Sequence, residues 1–244
     1  FPALWLKFDT GMNRLGFIQN EIENMLHRLK PFSKKIVLMT HLKSSSGKKM
    51  STKITKKQFN LFIKTASSLK EKNYNFLTSV SNSGGILNFE NLFSDIERPG
   101  LSLYGSHYQH KSNTSRLKNV TTLVSKIISI KEIKKGETVG YDGLWQAKKN
   151  TSIGIIPIGY SDGIPLNYGN KGVVLVNKTK ARVIGRVAMD LMAIELPNKK
   201  IQVGEDIILW GKDLKVDELA IMTDNIPYSF MTSLSERVTR KYIN

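Results

Sequence analysis

The stretch LWLKFDTGMNRLGF, residues 4–17, decides the fold. Leu4, Trp5, Leu6 and Phe8 read as a buried strand, Gly11 as a turn, and the residues from Gly16 onward as the start of a helix. Lys7, Asp9, Thr10 and Arg14 crowd onto the carboxyl end of that strand. That is where α/β enzymes keep their chemistry.

The pattern repeats along the first half of the chain. GFIQNEIENMLHRLKPF (16–32) carries Phe17, Ile18, Ile22, Met25, Leu26 and Leu29 at helical spacing, and KKIVLMTH (34–41) reads as a second buried strand. TKKQFNLFIKTASSLKEK (55–72) is an amphipathic helix with Thr55 as its expected N-cap. YNFLTSV (74–80) is a third strand, and a fourth is expected near RPGLSLYG (98–105). Strand-helix repeats of this kind make a parallel sheet whose post-strand residues gather at one end. Here those residues are Asp9 to Arg14, His41, Ser81 to Gly85, and the stretch around Arg98 to Gly100.

Four strand-helix units are half of an eight-stranded barrel, and an open half leaves strand edges uncovered. Either a partner covers them or further chain belongs in front. A doubly wound sheet fits the same pattern, but no G-x-G-x-x-G follows a strand.

From about residue 118 the pattern changes to short β runs between Gly turns: TTLVSKIISI, SIGIIPIGY, GVVLVN, ARVIG, LMAIEL and DIILWG. Antiparallel β structure with one late helix, KVDELAIMT (215–223), is the expectation. A boundary is expected in the polar stretch HKSNTSRLK (110–118). The expected architecture is therefore α/β plus all-β: residues 1–117 form a partial (β/α) barrel, and residues 118–244 form a mostly antiparallel β domain.

Composition narrows the function. The 244 residues hold no cysteine, which removes disulfides and thiolate metal sites, and the four histidines show no ligand spacing beyond the loosely placed His107 and His110. No metal is expected. No segment is apolar for long enough to cross a bilayer, and no signal peptide opens the chain, so a cytoplasmic protein without membrane contact is expected. The net charge of +17 comes from lysines scattered in pairs such as Lys34–Lys35 and Lys199–Lys200. A groove for nucleic acid needs one basic face with interleaved aromatics, so no specific nucleic-acid partner is expected.

Singly, the polar motifs are ambiguous. SNSGG (81–85) offers N–H groups and a hydroxyl to a phosphate, but it also reads as a plain turn. Tyr141 in VGYDGLW (139–145) suits a loop tip or a half-buried β-turn. His41 suits a structural histidine, and Met189 a core residue.

Together, in this order, they are specific. The elements LKFDTGMNRLGF, THL, SNSGG, RPGLSLYG, VGYDGLW, IGIIPIGYSDGIP, GRVAMDLM and LSERVTRKY resemble the alanine racemase family across nearly all of the chain. The resemblance implies the second half of a (β/α)8 TIM-type barrel, from about its fifth strand, followed by the β domain. It implies a homodimer using pyridoxal 5'-phosphate to interconvert L- and D-alanine for peptidoglycan. Serine-using relatives share most of these motifs, and a non-catalytic pyridoxal-binding or interaction protein is the alternative from another class.

By the same resemblance Tyr141 is one of two bases, reaching the partner's barrel site, with His41 and Arg98 as the relay behind it. A phenol titrates near pH 10, so it needs positive charge or donors nearby to act at neutral pH. Arg98 also matches the residue facing the pyridine nitrogen. Ser83, Gly100 and Leu101 match phosphate contacts, with Asn82 beside them. Arg14 and Met189 match contacts to the substrate carboxylate, Met189 through its backbone. Lys7 matches a lysine that supports this arginine and is carboxylated in some members. Tyr160 and Asp190 match residues of the entrance and inner site. Two departures stand out: Glu236 occupies the place of a phosphate-binding tyrosine, and no segment resembles the one carrying the cofactor lysine. That lysine is expected in an N-terminal part beyond this sequence, and Lys7 does not stand in for it.

Overall fold

The computed structural model describes residues 3–107 and 117–243, which form two compact units. The first unit runs from the start to Leu103. Its strands and helices alternate: β1 (Leu4–Lys7), α1 (Ile22–Leu29), β2 (Ile36–Met39), α2 (Lys49–Glu71), β3 (Leu77–Ser79) and the short α3 (Ser83–Asn88). The strands pair in parallel in the order β1-β2-β3, with Lys7 opposite Met39 and Met39 opposite Ser79. All three therefore end at the same level, which delivers their following loops to one edge.

The fourth expected strand is corrected to less than a strand. Ile96 N–H donates to the Thr78 carbonyl and Arg98 N–H to the Ser81 carbonyl, and Arg98 bridges Asn82 in parallel. Pro99, with no N–H to give, ends this pairing, and Leu101–Tyr104 turns into a 3-10 helix.

Helix α2 begins six residues before the expected Thr55. Its inward face is Ser51, Thr55, Gln58, Phe62, Thr65, Ala66 and Leu69, a regular three-and-four spacing whose first members are polar. Ser51 Oγ donates to the Ser44 carbonyl at 2.8 Å and accepts from Ser46 N–H at 2.9 Å, while Thr55 Oγ1 also donates to the Ser44 carbonyl. These hydroxyls satisfy the preceding loop from inside the helix, so Thr55 is not a cap. Further along, Phe62 stacks on Phe8 of the β1 end with ring centroids 6.2 Å apart, inside a core that includes Leu6, Leu26, Leu38 and Val80.

The second unit holds Tyr104–Ser106 and the chain from Lys118 onward. Its strands are β4 (Leu123–Lys126), β5 (Ser129–Ile133), β6 (Thr138–Val139), β7 (Trp145–Gln146), β8 (Thr151–Ile156), β9 (Val173–Val176), β10 (Thr179–Ile184), β11 (Met192–Glu195) and β12 (Asp206–Trp210). Seven of them form an antiparallel sheet in the order β4-β12-β9-β10-β11-β8-β5, and β6 and β7 form a hairpin. The two edges, β4 and β5, are joined by only Ile127 and Ile128. Ile127 N–H donates to the Glu205 carbonyl and Ile128 N–H to the Ile155 carbonyl, so the chain steps from one edge to the other and the sheet curls to meet itself.

Alternation along β10, with Ala181 and Val183 buried and Lys180 and Arg182 exposed, places one face in the core. Trp210, Tyr168 and Phe230 meet edge to face there, and the Tyr168 hydroxyl donates to the Val173 carbonyl at 2.6 Å. Instead of one late helix there are two, α4 (Val216–Met222) and α5 (Pro227–Thr232). The second opens on Pro227, a residue that suits a first helical turn. The boundary stretch expected at 110–118 lies largely outside the described residues. Among the described residues no helix is long and apolar enough to cross a membrane.

Replacing Phe62 with Ala is expected to destabilise the chain by about 3–5 kcal/mol through lost burial and a residual cavity. Chemical denaturation of the full chain measures it, and a loss under about 1 kcal/mol would contradict the packing described.

Candidate active site

The loop after β1 is built by one carboxylate. Asp9 Oδ1 accepts the N–H groups of Gly11, Met12 and Asn13 at 2.9, 2.8 and 3.1 Å, winding residues 9–14 into a tight turn. Burial pushes this carboxyl up, and the backbone donors at Gly11, Asn13, Met12 and Arg14 outweigh it, holding it below the usual aspartate range. The loop is closed by Phe17, which pairs with the backbone of Lys7 and Asp9. Gly16 allows this closure, since its φ of 122° and the Lys7 carbonyl 2.9 Å from a would-be Cβ leave no place for a side chain. Arg14 stands exposed at the tip of this loop, and Lys7 ends the strand behind it.

At the end of β2, Thr40 Oγ1 lies 2.7 Å from Thr10 Oγ1, and His41 follows. Its Nε2 is 3.5 Å from Asn82 Nδ2. Burial pushes the imidazole below the usual histidine range, and the positive charges of Arg98, Arg14 and Lys7 push it the same way. A histidine so placed is neutral at pH 7 and able to accept a proton or a hydrogen bond.

The guanidinium of Arg98 donates to the carbonyls of Thr40 and Val80 and to Ser79 Oγ. Three of its five N–H donors are thus held by the ends of β2 and β3, leaving two for another acceptor. Burial lowers its pKa, but an arginine stays charged at neutral pH.

Asn82 and Ser83, adjacent in sequence, have different tasks. The Asn82 side chain caps α3 by accepting Gly85 N–H at 3.0 Å, accepts Ser45 Oγ at 2.9 Å, and donates to the Leu42 carbonyl at 3.1 Å. Its amide is occupied by loop geometry. Ser83 Oγ instead gathers donors: Gly100 N–H at 2.8 Å and Ser102 N–H at 3.2 Å, with Ser102 Oγ also at 3.2 Å. Leu101 N–H opens its 3-10 helix with no intrahelical carbonyl to bind. Hydroxyls and converging N–H groups are a donor set for a phosphate. Gly100 lies open, with nothing within 4 Å of a would-be Cβ.

The remaining expected residues belong to the second unit. Tyr141 forms the tip of the β6–β7 hairpin and is 67% exposed. The next residue, Asp142, takes the left-handed conformation at φ 58° and pairs with Arg186 at 3.0 Å, tying the tip to the segment after β10. Three residues beyond Arg186, Met189 and Asp190 sit in an exposed turn. The Gly159–Asp162 turn packs on it: Tyr160 N–H donates to the Ala188 carbonyl at 3.0 Å, and Ser161 binds the Met189 carbonyl through N–H at 2.9 Å and Oγ at 2.7 Å. A Cβ on Gly159 would collide with both carbonyls, so only glycine permits this approach. Tyr160, Met189 and Asp190 thus share one corner. Glu236 is exposed. Arg186 was not among the expected site residues, and Asp9 was expected only as one of the residues gathered at the strand end. Asp9 carries a readable signal, an Asp two residues before a Gly in a post-strand turn, whereas Arg186 carries none.

Family models describe the two parts of the chain: alanine racemase, N-terminal domain, over residues 2–108, and alanine racemase, C-terminal domain, over residues 120–242. The alanine racemase of Mannheimia succiniciproducens is 35% identical over 245 residues, covering 99% of this chain and 67% of that protein. Among solved structures, the biosynthetic alanine racemase of Pseudomonas aeruginosa superposes with a TM-score of 0.90 at 32% identity, covering 100% of this chain and 68% of that one. The alanine racemase of Bartonella henselae, described with covalently bound pyridoxal phosphate, gives 0.84 at 29% identity, covering 100% and 67%. The chain therefore spans about two thirds of the length of the relatives it matches.

In an NMR titration the His41 imidazole is expected to have its midpoint below about 6.5 and to move upward in Arg14→Ala and in Lys7→Ala. A midpoint at or above that value in the unaltered chain contradicts the described electrostatics.

Proposed function

The chain belongs to the alanine racemase family of pyridoxal-phosphate-dependent isomerases, and from this premise we propose that it interconverts L- and D-alanine as a cytoplasmic homodimer. The observation that carries the reading is the convergence of the Ser83 donor cluster, Arg98 and His41 at the carboxyl ends of three parallel strands.

The donor chemistry fits the cofactor at both ends. Ser83, with the N–H groups of Gly100 and Leu101, would hold the phosphate, and Asn82 caps the helix that carries Ser83. Arg98 would offer its remaining donors to the ring nitrogen. An arginine has no proton to give up easily, so it would leave that nitrogen unprotonated and disfavour side reactions such as transamination. When bound, the cofactor withdraws electrons and so acidifies the α-hydrogen of the attached amino acid.

The protein's own groups then manage that hydrogen and the carboxylate. Arg14, supported by Lys7, would bind the substrate carboxylate through its guanidinium; Met189, on the same unit of the chain as Tyr141, is assigned a carboxylate contact through its N–H. Tyr141 of the partner subunit approaches one face. Its phenolate oxygen would take the α-proton, or its hydroxyl return one, while the second base, on the opposite face, is the cofactor lysine, to which no residue of this chain is assigned. The neutral His41 can accept the phenol's hydrogen bond, and the positive charge of Arg98 beside it favours that neutral form. Arg98, Arg14 and Lys7 bring positive charge to the site that the partner's phenol would enter. Tyr160 and Asp190 line the way in.

In the racemising protein, Tyr141→Phe is expected to lower racemisation in both directions by at least about 100-fold, the scale of a lost general base. Solvent deuterium should still enter the α position from one enantiomer but not the other. Unchanged kinetics, or equal loss of exchange from both enantiomers, would sink the assignment. For the phosphate end, Ser83→Asp is expected to weaken pyridoxal 5'-phosphate binding by about tenfold or more in fluorescence titrations, through carboxylate–phosphate repulsion. Pyridoxal without its phosphate should be affected far less, and equal weakening of both would contradict the role given to Ser83.

A further inference from the structure

Between two of the site loops lies a buried polar side chain to which no role has been given. Gln58, on the inward face of α2, is 2% exposed. Its Nε2 donates to Thr10 Oγ1 and to the His41 carbonyl, each at 3.1 Å, and its Oε1 accepts from Lys43 N–H at 3.0 Å. The orientation of the amide is forced, because the Lys43 N–H can only donate and the His41 carbonyl can only accept. No other uncharged side chain of this length carries a donor and an acceptor on one carbon.

The bonds continue on both sides. Thr10, in the loop that carries Arg14, pairs through its hydroxyl with Thr40, and the Thr40 carbonyl accepts from Arg98. One amide therefore joins the loop after β1 to both residues flanking Leu42 in the loop after β2. The sheet alone does not supply this link, since the β1–β2 register ends at Lys7 and Met39 and leaves residues 10 and 41–43 beyond the last paired strand residues.

We propose that Gln58 is a positioning residue of the active site, holding the His41 loop at a fixed separation from the Arg14 loop. The kinetic consequence rests on the racemase reading, while the structural one does not. A displacement on the order of 1 Å at a reacting group costs about 100-fold in rate, so a staple of three buried hydrogen bonds is a means of control as well as of stability.

The test uses the full chain, isotopically labelled, with two variants. Gln58→Met keeps the length of the side chain and removes every hydrogen bond. Gln58→Glu, at alkaline pH, keeps an oxygen toward Lys43 N–H but has no hydrogen to offer His41. In Gln58→Met the imidazole resonances of His41 are expected to shift and the Lys43 amide to exchange at least tenfold faster. In Gln58→Glu the His41 resonances shift while the Lys43 amide stays protected. His27, on the exposed face of α1, should not move in either. Should Gln58→Met fail to fold by circular dichroism, Gln58→Glu carries the His41 reading. Unmoved His41 resonances, or His27 moving as far as His41, overturn the proposal. In the racemising protein, Gln58→Met should lower kcat/KM about tenfold in the unaltered background and less than twofold in a His41→Ala background. Equal penalties in the two backgrounds overturn it as well. Absence of racemase activity would leave the NMR result standing, so failure of the functional reading is distinguishable from failure of this one.

Discussion

The rest of the first unit depends on where the Arg98 guanidinium puts its hydrogen bonds. It binds the Thr40 and Val80 carbonyls and the Ser79 hydroxyl, which are the last groups of two neighbouring parallel strands. A charge taken partly out of water is tolerated only where such acceptors surround it, so the strand ends cannot splay without stranding it. His41 is the next residue after Thr40, and Asn82 and Ser83 follow Val80 by two and three residues. The same side chain that fixes their origin also pushes the His41 imidazole toward its neutral form. Scaffold and electrostatics are one interaction.

A second constraint divides labour between adjacent residues. Asn82 has its amide bound to Gly85, Ser45 and Leu42, so its value lies in shaping the loop. Ser83 points the other way and draws Gly100 and Ser102 N–H groups to one hydroxyl oxygen. Gly84, in the first turn of α3, lets that helix pack against the Ser45 loop, since a Cβ there would strike Ser45. Donors held in this way need little rearrangement when an anion replaces the hydroxyl as their acceptor.

What was legible in the sequence follows from which physics leaves a local trace. The strands and the loops at their ends were readable because apolar runs such as Ile36–Met39 stop abruptly at polar residues. The start of α2 was not, since its inward face opens with Ser51 and Thr55, which satisfy loop carbonyls and look like solvent-facing residues. Gln58 is hidden for the same reason: an amide in an amphipathic helix reads as surface until the loops it binds are in place. The strand expected near Arg98 was cut short by Pro99, a signal present in the sequence but outweighed by the apolar run that follows. The tip bearing Tyr141 was visible from its flanking glycines, whereas the Arg186–Asp142 pair that tethers it joins residues 44 apart in sequence and leaves no local pattern.

The exposure of Tyr141 and the positive charge gathered around His41 support the proposed exchange of residues between subunits. Tyr141 stands on an exposed hairpin tip, where the Arg186 guanidinium is paired with the neighbouring Asp142. Around His41 the situation is reversed: Arg98, Arg14 and Lys7 bring positive charge to a neutral imidazole, and the Asp9 carboxylate is engaged by its own loop backbone. Such a site favours the arrival of an anion or of a group that becomes one. In the proposed dimer, a partner's phenol would enter this positively charged site, and the base would be completed only on assembly. Coupling basicity to dimer formation would keep an isolated subunit from abstracting protons without the full set of contacts that hold the substrate.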